Sequence, residues 1–156
     1  EVLGWATGVA VGAQLAQPDK QVVALSGDGA FMFGNNLWAI ARYDAPILMV
    51  IYNNRAYNMN RAFGWIRGGE QAELKKDLLT YLGDPDVDFT LMAKAHGIDG
   101  EVVDGPENLG AAIQRGIAAQ RAGKAYLLDV HTERWGAGGE HTWHPELSIA
   151  DMGQSS

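Results

Sequence analysis

Two apolar runs set the frame of the chain. Residues 22–25, Val-Val-Ala-Leu, are β-branched and aliphatic, and the run breaks at Ser26-Gly27-Asp28-Gly29. A helix is expected over roughly residues 35–43; Pro46 then resets the chain, and a second apolar run, 47–52, ends in Asn53-Asn54. Strand, helix and strand in this order make a βαβ unit, whose strands are parallel and finish on the same edge of a sheet. Asp28 and Asn54 are therefore expected on one rim, where open α/β sheets bind their ligands.

The same pattern continues downstream. Residues 89–96 read as a short amphipathic helix closed by Gly97, with His96 as a cap on its end, and 98–103 supply another strand. Asp104-Gly105-Pro106 turns the chain. Leu109, Ala112, Ile113 and Ile117 then recur at helical spacing over residues 108–120, ahead of Gly123, and 125–130 form a last buried strand. Such alternation predicts the α/β class, a parallel sheet flanked by helices on both faces. Upstream, residues 1–16 mix alanine and valine with Gly4, Gly8 and Gly12, and a turn follows at 17–20. Small residues four apart let a helix lie close to a neighbour, here the sheet or a partner subunit. A membrane reading of that spacing is the weaker one, because the segment is short and soon polar.

Residues 55–80 are polar and less regular. Beside a ligand rim they read either as a lid or substrate loop or as a solvated surface excursion with a helix near 71–82. Tyr57 and Met59 are candidate pocket residues, with ordinary core packing the alternative for Met59. Arg55, Arg61 and Arg67 are placed to meet a substrate carboxylate or, more commonly, to be simple surface charges.

Composition narrows the function. With 156 residues the chain can bury a real core, and one domain is the default. A formal net charge of −7 argues against nucleic-acid and anionic-membrane partners. No apolar run approaches the roughly 20 residues that span a bilayer, and the opening lacks the basic start of a signal peptide. The absence of cysteine removes disulfides and thiolate metal sites.

The chemistry of the rim follows from its residue types. Asp28 and Asn54 offer oxygen donors only, which suits a hard cation such as magnesium or calcium; magnesium commonly completes its shell with water and substrate phosphate. Gly27 and Gly29 leave the backbone bare for a phosphate to approach. The amides of Ala30 and Phe31, near a helix start, are natural anion donors. Carboxylate, carboxamide and bare glycine turn together describe a metal–diphosphate clamp.

Gly27-Asp28-Gly29 followed by Asn53-Asn54, each at the end of an apolar run, resembles the GDG…NN signature of thiamine diphosphate (ThDP) enzymes. The likeness is to the acetolactate synthase, benzoylformate decarboxylase and pyruvate decarboxylase group. It extends to Leu3-Gly4-Trp5 through Gly12-Ala13, to Pro46, and to Asp84-Pro85-Asp86-Val87-Asp88-Phe89, and so covers nearly the whole chain. The resemblance implies a ThDP-binding fold over residues 1–134, without its usual first strand and helix, and a tail, 135–156, packed on the domain or over the active site. It also implies that the chain is part of a considerably longer polypeptide.

Carried across by position, the resemblance makes Asp28, the Asn54 side chain and the Ala56 carbonyl the magnesium ligands. Gly29 and Ala30 would face the diphosphate, with backbone groups of Tyr57, Asn58 and Met59. Leu3 would lie beneath the bent cofactor. There are two departures: the stretch from Asp28 to Asn54 is about one residue short around residues 32–36, and Ala30 stands where several relatives carry serine.

The implied activity is decarboxylation of a 2-oxo acid, or making or cleaving a carbon–carbon bond, in a cytoplasmic homodimer or homotetramer. The activating glutamate is expected on a pyrimidine-binding domain of a neighbouring subunit, since Glu70, Glu73, Glu101 and Glu107 lie off the motif. No catalytic residue is assigned within the chain. FAD is a possibility only on an upstream domain. Two alternatives remain, a non-catalytic relative that keeps the fold and an unrelated magnesium–phosphate enzyme. In the tail, His141 and His144 lack a third zinc ligand of obvious spacing. A loop packing Trp135 and Trp143, or a flap over the rim as in some relatives, competes with zinc there.

Overall fold

The computed structural model describes residues 2–68 and 80–133. These contribute to two compact units, Glu1–Asn53 with Asp88–His131, and Asn54–Val87 with Thr132–Ser156.

The first unit is built on a parallel sheet. Its strands are β1 (Val22–Gly27), β2 (Ile47–Asn53), β3 (Asp99–Val103) and β4 (Tyr126–His131), in the spatial order β1-β2-β4-β3. β1 pairs with β2 from Val22↔Ile47 to Gly27↔Tyr52, and β4 inserts between β2 and β3. All four strands run the same way, so Gly27, Asn53, Val103 and His131 finish on one rim. The helices are α1 (Trp5–Ala16), α2 (Asp28–Phe33), α3 (Leu37–Arg42), α5 (Phe89–Lys94) and α6 (Pro106–Arg121); α4 (Asn58–Arg67) belongs to the second unit.

Burial explains the strand compositions. β2 is central and nearly continuously buried, which a parallel strand covered on both faces requires. On one face Leu48, Val50, Val103, Leu128 and Val130 pack under Ala112, Leu109, Ile113 and Ile117 of α6. Gly116 lets that helix settle close, since a Cβ there would stand 2.5 Å from Leu48 Cδ1. The alternate residues, Ala24, Ile47, Met49, Ile51 and Leu127, are buried on the opposite face, where α1, α3 and α5 supply Ala10, Leu37, Ile40, Phe89 and Ala93. Val23 and Leu25, in register with Leu48 and Val50 on the α6 face, remain 49% and 55% exposed at the sheet edge.

Helix ends follow from local chemistry. Asp88 caps α5: its Oδ1 accepts from Leu91 N at 2.8 Å and from the Thr90 hydroxyl at 2.6 Å. These bonds, Thr90 first, hold its carboxyl below the usual range. Gly97 follows that helix at φ 74°, and His96 Nδ1 lies 2.9 Å from the Met92 carbonyl, capping the helix end as expected. Pro106, read from sequence as a turn residue, is instead the first residue of α6, where a missing N–H has no cost.

At the opposite edge from the rim, Gln120 ties α6 to the starts of two strands. Its Nε2 donates to Val22 O at 2.8 Å and to Pro46 O at 2.9 Å, with the side chain buried. Gln120→Ala leaves both carbonyls short of a partner. It is expected to lower stability by about 1–3 kcal/mol, read as a drop in the urea midpoint with an unchanged slope.

The second unit is shorter. Ala56 forms an antiparallel bridge with Tyr81, reinforced by Tyr57 N→Thr80 O and Leu82 N→Arg55 O, both 2.8 Å. Residues 80–82 are thus extended or turn, which trims the helix expected near 71–82; the rest of that stretch lies outside the described residues. The helix that does form, α4, was not expected from sequence. Arg61 is buried in it, its Nε donating to Asn58 Oδ1 at 3.1 Å, so it is not the plain surface charge expected. Arg55 pairs with Asp86 at 3.3 Å. The tail from residue 134, with its histidine and tryptophan readings, also lies outside the described residues. No helix among the described residues is long and apolar enough to cross a membrane.

Candidate functional site

The rim of the first unit gathers the ends of four strands. Gly27 closes β1 in extended geometry, and α2 begins at Asp28 directly after it. Asp28 is buried, and its Oδ1 accepts from Gly29 N at 2.7 Å. Ala30 is half-buried in the first turn, while the Phe31 ring is buried edge-on against Phe89, with centroids 5.5 Å apart. Phe31 can therefore offer a ligand only its backbone. A Cβ at Gly27 would meet nothing within 4 Å, so the backbone there is open to a ligand.

Leu3 reaches this rim through a close backbone crossing. Gly4, at φ 80°, lies against Gly34, where a Cβ on Gly4 would come within 2.7 Å of Gly34 N. Thr7 Oγ1 donates to Gly34 O at 2.8 Å, and Asn36 Nδ2 donates to Thr7 Oγ1 at 3.3 Å. The start of α1 is thus locked onto the α2–α3 link, and Leu3, just before it, is 55% exposed. Close approach along the α1 glycine row is realised at Gly4 and at Gly8, which faces Asn36; Gly12 faces open space.

In the second unit, Asn54 is half-buried and its Oδ1 accepts from Ala56 N at 2.9 Å. A carboxamide oxygen with one such bond keeps a second lone pair. Ala56 is buried, Tyr57 and Asn58 are half-buried, and Met59 is exposed. The residues expected at the site thus divide: Leu3, Gly27, Asp28, Gly29, Ala30 and Phe31 in the first unit, Asn54, Ala56, Tyr57, Asn58 and Met59 in the second. The chain passes from one group to the other at the Asn53–Asn54 peptide.

Sequence reasoning missed a polar chain along the rim. Asp129, inside β4 and 2% exposed, accepts from Asn53 Nδ2 at 3.0 Å. Its Oδ2 lies 3.7 Å from His131 Nε2, and His131 Nδ1 lies 2.6 Å from Asp104 Oδ1. Burial pushes the Asp129 carboxyl above the usual range, with Asp88 and Asp28 adding to the push against the Asn53 bond and His131. An acid inside an apolar strand run was the one available signal.

A parallel sheet with acids and amides at its carboxyl-end rim defines an open α/β domain of the ligand-binding kind. The chain belongs to the thiamine pyrophosphate enzymes, as the C-terminal TPP binding domain, whose family model matches residues 1–130. Among curated relatives, benzoylformate decarboxylase of Pseudomonas aeruginosa is 33% identical over 132 residues, 84% of this chain and 23% of that protein. Acetolactate synthase of Bacillus subtilis is 33% identical over 122 residues, 77% of this chain and 20% of that protein. Sulfoacetaldehyde acetyltransferase of Alcaligenes xylosoxydans is 31% identical over 136 residues, 84% of this chain and 21% of that protein. The solved thiamine diphosphate-dependent 4-hydroxybenzoylformate decarboxylase of Rhodococcus jostii RHA1 superposes with a TM-score of 0.71 at 33% identity, covering 84% of this chain and 23% of that one. The chain therefore spans about a quarter or less of the length of these relatives.

Proposed function

We propose that this chain holds the diphosphate and the magnesium ion in a ThDP enzyme that decarboxylates a 2-oxo acid, or forms or cleaves a carbon–carbon bond. The observation that carries the reading is the β1–β2 register: Gly27↔Tyr52 puts the tip that leads into Asp28 beside the tip that leads into Asn53-Asn54.

The donor set fits the ion. Asp28 would supply the one carboxylate, Asn54 its carboxamide oxygen and Ala56 its carbonyl, all hard oxygen donors; magnesium takes few protein ligands and completes its shell with phosphate and water. Gly27, Gly29 and Ala30 would leave room for the diphosphate. Tyr57, Asn58 and Met59 would meet it with backbone groups. Leu3 is held at the rim by the Gly4–Gly34 crossing, exposed as a residue must be to support a ligand.

When bound, ThDP would supply a nucleophilic carbon for a carbonyl substrate and, in its cationic ring, a sink for the electron pair released on decarboxylation. The acid that activates it would come from a pyrimidine-binding domain of a neighbouring subunit. Glu101 is committed elsewhere, receiving Arg115 Nε at 2.8 Å, Arg115 Nη2 at 2.6 Å and the Tyr126 hydroxyl at 3.1 Å. Titration calorimetry on the intact protein tests the proposal. ThDP is expected to bind with magnesium present and to be lost on chelation, with a ligand-induced stabilisation of about 2.7 kcal/mol at 100 times Kd. Binding indifferent to chelation would overturn it, and binding without turnover of any 2-oxo acid or other carbonyl substrate would mark a non-catalytic relative.

A further inference from the structure

We propose that Asp129 is a positioning residue for the magnesium site, acting through Asn53; the inference rests on the function proposed above. Asn53 is the last residue of β2 and Asn54, the proposed ligand, is the next in the chain. The Asn53 side chain is buried, and its Nδ2 donates to Asp129 Oδ1 at 3.0 Å. That bond fixes the tip of β2 to the neighbouring strand at the point from which Asn54 departs. Asp129 is in turn backed by His131 at 3.7 Å, and His131 by Asp104 at 2.6 Å, so the ends of β2, β4 and β3 are tied in one line.

A buried carboxylate needs such a reason. The other inward-facing residues of β4 are aliphatic, and a leucine at 129 would pack as Leu127 does, two positions earlier on the same face. Removing a charge from water costs several kcal/mol unless partners replace the lost hydration. Asp129 also stands within electrostatic reach of Asp28 and Asp88, which oppose its charge. An acid kept at this cost fixes a geometry, as the groups behind metal ligands commonly do.

The test measures magnesium half-saturation at saturating ThDP in the intact protein, together with melting of the metal-free protein. Asp129→Ala is expected to raise the half-saturating magnesium concentration about tenfold or more, the low end of what loss of a group behind a ligand costs. Asp129→Asn keeps an acceptor for Asn53 Nδ2 and is expected to stay within about threefold of wild type, a rescue that a charge effect would not give. Asn53→Ala should match Asp129→Ala, and the double variant should lose nothing further. Wild-type magnesium affinity in Asp129→Ala overturns the proposal, as do equal losses in the Ala and Asn variants or additive losses in the double variant. Should Asp129→Ala not fold, Asn53→Ala and Asp129→Asn carry the same comparison. Failure of the wild-type protein to bind magnesium with ThDP would instead sink the functional reading itself.

Discussion

Asp28→Ala is expected to abolish magnesium-dependent ThDP binding. The only carboxylate in the proposed donor set would be gone, leaving a divalent ion with a carboxamide and a carbonyl from the protein. The loss should exceed the roughly 10–100-fold that follows removal of a group merely behind a ligand. Folding should survive. Asp28 stands within electrostatic reach of buried Asp129, so its removal relieves a repulsion as well as deleting the bond to Gly29 N. The metal-free melting temperature is expected to stay within about 4 °C of wild type, a change worth about 1–2 kcal/mol in a domain of this size. Calorimetry for binding and circular dichroism for melting separate a lost ligand from a lost fold. Retained magnesium-dependent binding would remove Asp28 from the metal.

The largest stability effect is expected at Gly4. Its φ of 80° is a left-handed conformation that disfavours any side chain by about 1–2 kcal/mol. A Cβ there would also lie 2.7 Å from Gly34 N and 3.0 Å from Gly34 Cα. Those are backbone atoms, which cannot swing aside as a side-chain end does. Gly4→Ala should therefore destabilise by about 2–4 kcal/mol, a large part of the roughly 5–15 kcal/mol that holds a domain together. Gly12→Ala is the internal control. It sits inside the helix that Gly4 precedes, with nothing within 4 Å of its added methyl, and should stabilise by about 0.5–1 kcal/mol. Urea denaturation of the two variants side by side checks the contrast; equal effects would refute the backbone-contact account.

Much of the architecture was legible because its punctuation is local. Gly27 and Pro46 bound the two leading strands, and apolar residues at helical spacing mark α6, so each was read to within a few residues. A helix start was legible near Ala30, but α2 as a separate helix was not, because six residues give no periodic pattern to read and the helix was expected over roughly residues 35–43. α4 escaped because Asn58, Asn60 and Gly64 are weak helix formers, and propensity is a poor guide where tertiary contacts decide. Strand order was beyond reach. Nothing in the sequence says that β4 enters between β2 and β3, and without that step Asn53 and Asp129 have no reason to be associated. The candidate ligands were legible as a motif, whereas the groups that hold the motif in place are a property of topology.

Every ladder in this sheet joins segments distant along the chain, and the Asn53–Asp129 tie spans 76 positions. Pairing of that kind forms slowly, since loop closure must come before any contact repays it. The rim is incomplete until β4 has threaded between β2 and β3. Ligand capture at that edge would then gauge finished folding, and cofactor added during renaturation would draw the population toward the native state by mass action.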